Sequence, residues 1–141
     1  MANLTLFCSA IGILVSLFES VFGKWTSSMI TLLISMFADF ITGVIVGAVF
    51  NNSPKSKSGA LESRAGWKSL CRKSVILVFV LIGYRLDIAL ETAYIRDAVC
   101  IAFTANEILS VVENAGLMGI PIPKVVSNAL DILKNKDENQ K

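Results

Sequence analysis

Residues 26–50 read TSSMITLLISMFADFITGVIVGAVF, twenty-five residues carrying one charge, Asp39, near the middle. As a helix rising ~1.5 Å per residue the stretch runs ~37 Å. That is enough to cross a hydrocarbon core of ~30 Å with some tilt. A carboxylate at mid-depth costs at least ~2.5–3.5 kcal/mol, so it has to face protein or water. Ser35, Asp39, Gly43 and Gly47 recur every fourth residue and share one polar, small-residue face. Gly43-Val-Ile-Val-Gly47 is a GxxxG, a spacing that lets helix backbones approach closely in lipid. This span, with its charged face turned away from the acyl chains, sets the fold class.

Composition agrees with that reading. Of 141 residues, 54% are hydrophobic and 17% charged, and the mean hydropathy is +0.66. A soluble domain of this length carries about a quarter charged residues, so the chain reads as a single all-α integral membrane domain, residues 1–134. The absence of histidine removes the commonest metal ligand and general base. Cys8, Cys71 and Cys100 are isolated and give no metal-ligand spacing. An enzyme is excluded for want of a nucleophile–base pair or metal cluster, and no cofactor is implied.

Working outward, residues 4–22 form a second apolar run with Glu19 its one charge. A signal peptide would need a basic start and a small-residue cleavage site. The run has neither, which predicts a retained span. Gly23-Lys24-Trp25 leaves room for a tight turn into 26–50, with Trp25 at the interface. Residues 51–73 then hold Lys55, Lys57, Arg64, Lys68, Arg72 and Lys73 against the single acid Glu62. Nucleic-acid binding is one reading of such a cluster. Beside a membrane span the positive-inside rule accounts for it better and predicts a cytoplasmic loop. Lys68, Arg72 and Lys73, near one helical face with Trp67 and Leu70, are expected on the membrane surface.

Residues 74–90 make a third apolar segment, with Arg85 and Asp87 near its outer end as interfacial anchors. Arg85 is the one cation expected within a span, with Asp87 its nearest acid. Residues 97–117 have the length of a fourth span, but Asn106, Glu107, Ser110, Glu113 and Asn114 form a polar stripe along them. The alternative is three spans with this segment on the surface. Four spans put both termini and the basic loop on the cytoplasmic side. Gly119-Ile120-Pro121-Ile122-Pro123 ends the helix. Val125, Val126, Ala129, Leu130 and Leu133 then predict a short amphipathic helix, followed by a polar tail, 135–141.

Three elements together resemble a known family. They are Ala38-Asp39-Phe40-Ile41-Thr42-Gly43, the basic loop ending in Gly66-Trp67 and Arg72-Lys73, and the run Asn106-Glu107-Ile-Leu-Ser110-Val-Val-Glu113-Asn114 before Gly119-Ile-Pro121-Ile-Pro123. The pattern, over about Thr26 to Ile132, is similar to the phage lysis and toxin-secretion holins, including those of clostridia. The mixed rather than strongly basic tail departs from that family. The resemblance implies a multi-pass protein of the bacterial cytoplasmic membrane that homo-oligomerises in the bilayer. It implies lesions that release an endolysin or export a large toxin, and no nucleic-acid partner. Asp39, Gly43, Gly47, Asn106, Glu107, Ser110, Glu113 and Asn114 are then the expected pore or helix-interface residues. A small ion channel or proton-coupled transporter is the competing reading of the same acids.

Overall fold

In the computed structural model, residues 2–51, 63–126 and 128 are described. They form helices α1 (Ala2–Phe22), α2 (Ser27–Ala48), α3 (Ser63–Ala89) and α4 (Ile95–Leu117), with no strand among the described residues. Residues 52–62 of the expected loop 51–73, most of the amphipathic segment after Pro123 and all of the tail 135–141 lie outside the described residues.

Helices α1 and α4 stop where the backbone chemistry says they should. Gly23 takes φ +81°, the left-handed conformation that ends α1, and a Cβ there would stand 2.5 Å from the Tyr84 ring. Gly119 (φ +78°) ends α4 in a Schellman arrangement. The N–H of Ile120 donates to Ala115 O at 3.1 Å and that of Gly119 to Gly116 O at 3.0 Å, and Pro121 follows.

The boundaries of α1, α2 and α4 follow the apolar runs to within a few residues. The third helix does not. It begins at Ser63 rather than at residue 74, so the basic segment after Arg64 continues α3 instead of forming a separate surface element. Lys73, Ile76, Val80, Gly83 and Asp87 are all buried, at alternating spacings of three and four. That is one continuous inward seam.

α2 and α4 run side by side in the same direction, and α4 also packs on α3. Met29, Leu32, Met36, Ile76, Val80 and Cys100 make the apolar core, flanked by Phe18 and Phe22 from α1. α1 meets the rest chiefly through α3, and its apolar stretch is otherwise uncovered. Phe18 stacks on Trp25 with ring centroids 4.7 Å apart, which fixes the α1–α2 turn. Among the described residues, Leu4–Phe22 and Ser27–Ala48 are long and apolar enough to cross a membrane. Large hydrophobics along them, such as Leu6, Leu14, Ile34 and Phe37, are exposed, as side chains that face lipid would be.

Candidate functional site

The inward faces of α2, α3 and α4 meet at a cluster of charge. Asp39 on α2, Lys73 on α3 and Glu107 on α4 are 5%, 8% and 4% exposed. Lys73 Nζ donates to Asp39 Oδ2 at 2.9 Å and also to Glu107 Oε2. One ammonium therefore bridges two carboxylates and ties three helices together. Fully ionised, the trio carries one surplus negative charge. Asn114, a further two turns along α4, attends to the other side of Asp39. Its Nδ2 donates to Asp39 Oδ1 at 3.2 Å and to Thr42 Oγ1 at 2.9 Å. Thr42 can accept because its own hydroxyl proton goes back to Ala38 O at 2.9 Å. Gly43 lies beside this amide, where a Cβ would stand 3.7 Å from Asn114 Nδ2.

The cluster corrects the expectation for Lys73. Lys68 and Arg72 are exposed, but Lys73 turns inward. The cation facing Asp39 and Glu107 is thus Lys73, and Arg85 is exposed. Of the expected stripe on α4, the structure brings Glu107 and Asn114 inward, leaves Ser110 half-buried and exposes Asn106 and Glu113. Gly47 and Ser35 are buried on α2, the latter with its hydroxyl donating to Leu32 O at 2.8 Å.

A second polar cluster clasps the two interhelical turns at the opposite end of α2 and α4. Asp87 closes the start of α4, accepting from the N–H groups of Ile95 and Arg96 at 2.9 Å each and from Thr92 Oγ1 at 2.7 Å. It serves as a cap rather than as the partner of Arg85. Arg96 Nη1 donates to Phe22 O at 2.8 Å and Lys24 O at 3.2 Å, and its guanidinium lies 5.4 Å from the Tyr84 ring centroid. Asp97 Oδ1 accepts from Thr26 Oγ1 at 3.0 Å and from Ser28 Oγ at 2.6 Å. Among the described residues, no group of His, Cys, Asp or Glu is placed to hold a metal ion.

Long apolar helices, exposed hydrophobics along them and a charge cluster sealed between helices are the features of a helical membrane protein. The chain belongs to the bacteriophage holin family, whose model matches residues 16–135. It is 37% identical to an "uncharacterized 14.9 kDa protein in nagH 3'region" of Clostridium perfringens, over 86% of this chain and 87% of that protein. It is 34% identical to an uncharacterized protein of Halalkalibacterium halodurans, over 82% and 84% of the two chains. A "probable holin" of Bacillus phage phi105 is 30% identical over 73% of this chain and 70% of the phage protein. No solved structure matches.

Proposed function

We propose that this chain is a holin of the bacterial cytoplasmic membrane. It crosses four times, with the basic segment after α2 and the C-terminal tail in the cytoplasm. Copies accumulate, associate laterally and open lesions that pass an endolysin or a large toxin. The observation that carries this reading is the Lys73 bridge between Asp39 and Glu107 inside otherwise apolar helices. In the separate protomer the bridge keeps three charges out of lipid, so the protein is harmless while dilute. The surplus carboxylate charge makes the arrangement more favourable once it faces water. A water-filled assembly in which α2 and α4 turn their polar faces to the lumen gives that charge a solvent. The protein carries no catalytic group in this scheme, and its work is mechanical.

Inducing the chain in bacteria together with an endolysin that has no export signal tests the proposal. Abrupt lysis after a lag is expected. Steady growth, with the protein verified in the membrane, would overturn it. The same buried acids favour a small cation channel or proton-coupled transporter as the second reading. That reading predicts ion leakage with the co-expressed endolysin retained in the cell.

A further inference from the structure

α3 carries two exposed cations at a level where α2 is apolar. Lys68 and Arg72 are exposed and about one turn apart. Among the described residues, neither side chain has an ion-pair or hydrogen-bond partner. At 3.6 residues per turn they share a face with Val75, Phe79, Ile82 and Leu86, which are exposed too. One outward stripe of α3 is therefore apolar over residues 75–86 and cationic just before them.

The Lys73–Asp39 bridge sets the level of that stripe against α2. Asp39 stands nine residues before Ala48, the last of α2, which is ~14 Å along the axis. α3 runs the opposite way, since Lys73 meets Asp39 while Tyr84 meets Gly23, just before α2 begins. Arg72 then lies ~12 Å, and Lys68 ~6 Å, short of the Ala48 end of α2. Over that length α2 turns Ile41 and Ile45 outward, and residues 40–48 hold no charge. One layer of the bilayer thus meets hydrocarbon side chains on α2 and two unpaired cations on α3.

Snorkelling carries the head of a long side chain toward water. What remains of the cost is relieved when the bilayer thins and polar groups come down to the charge. A guanidinium forks two oxygens of one phosphate, and a side chain four residues away on a helix is near enough to touch the same group. Water brings acceptors only, whereas a phosphate brings acceptors and countercharge. A zwitterionic lipid cancels that countercharge with its own ammonium, and an anionic lipid does not. We propose that Lys68 and Arg72 bind the headgroup phosphate of an anionic phospholipid, in the leaflet at the Ala48 end of α2. This lipid site presupposes the crossing of α2 proposed above and adds a partner to it.

The test uses the full chain with Trp25→Phe, which leaves Trp67 as its single tryptophan. Trp67 is 69% exposed and adjoins Lys68. The protein is reconstituted in vesicles of phosphatidylcholine and phosphatidylglycerol, one lipid at a time carrying brominated acyl chains that quench a tryptophan they touch. Brominated phosphatidylglycerol should quench Trp67 at a lower mole fraction than brominated phosphatidylcholine, by roughly fivefold for each cation. Lys68→Gln with Arg72→Gln should erase the preference. Both side chains are exposed and unpaired, so helical ellipticity in phosphatidylcholine alone should not change. Exchanging the cations, Lys68→Arg with Arg72→Lys, should keep the preference, as should Lys24→Gln at the far end of the bundle. Equal quenching by the two lipids, quenching by neither, or a preference that survives the double Gln variant would overturn the proposal. The readouts separate the two proposals: lipid preference without endolysin release retains the lipid site and rejects the holin function. Release without lipid preference does the reverse.

Discussion

Lys73 reaches Asp39 with Nζ 2.9 Å from Oδ2, across 34 residues of sequence and between two different helices. The same ammonium holds Glu107. Removing one partner of a buried ion pair commonly costs ~3–5 kcal/mol, because a charge is left without compensation. Lys73→Met leaves two carboxylates facing each other between apolar helices. We predict a loss in that range, read as a lowered midpoint of denaturant unfolding in detergent. Adding Asp39→Asn and Glu107→Gln should restore much of it; no recovery in the triple variant would locate the effect in lysine packing instead.

Asp39→Asn alone leaves Lys73 paired one-to-one with Glu107 and removes the surplus charge. The variant should insert and fold, and it should delay lysis relative to the parent at equal membrane abundance. Unchanged timing would remove any role for the Asp39 charge beyond packing.

Asn114→Leu strips the amide from Asp39 and from Thr42. Interhelical hydrogen bonds in membranes average ~0.6 kcal/mol and reach ~1.7, so a modest loss is expected, several-fold below that of Lys73→Met. Comparable losses in the two variants would mean that Asn114 is more than an accessory to the ion bridge.

Asp87→Ala removes the acceptor for the first N–H groups of α4. Loss of a helix cap costs ~0.5–2 kcal/mol, concentrated in the turn. Amide exchange at Ile95 and Arg96 should accelerate, with little change around Val80 and Cys100. Uniform acceleration through the bundle would contradict a local capping role.

The proposed four-crossing topology predicts that the exposed thiol of Cys71 faces the cytoplasm and reacts with an impermeant maleimide only in inverted vesicles. Protease added outside intact spheroplasts should spare the C-terminal tail. Cleavage of that tail from outside would favour three spans.

Helix existence and the need for Asp39, Glu107 and Asn114 to find partners were legible because charge and amide groups in long apolar runs demand an explanation. The ammonium that supplies that explanation was hidden by its company. Lys73 follows Lys68 and Arg72 at the edge of an apolar segment, where positive residues are ordinarily topology signals. Its three-and-four spacing with Ile76, Val80, Gly83 and Asp87 is matched by that of Arg72 with Val75, Phe79, Ile82 and Leu86, so spacing alone does not separate the two cations. On α4 the sequence offers two polar pairs seven apart, Asn106 with Glu113 and Glu107 with Asn114, about 100° from each other around the helix. Periodicity alone could not choose between them. The contacts with α2 and α3 select the second pair, which faces Lys73 and Asp39. The clasp around Arg96 and Asp97 joins residues about 70 apart, beyond the reach of local pattern.

The ion cluster also has an order of birth. Asp39, Lys73 and Glu107 are separated by 34 residues and then by 34 again. At a synthesis rate of ~5–20 residues per second, Asp39 leaves the ribosome roughly 2–7 s before its lysine, and the second acid follows after the same interval. A nascent chain therefore holds first a lone acid, then an acid with its lysine partner, and only at the last helix the second acid. The step that adds the second acid to the bridge is also the one that completes the bundle.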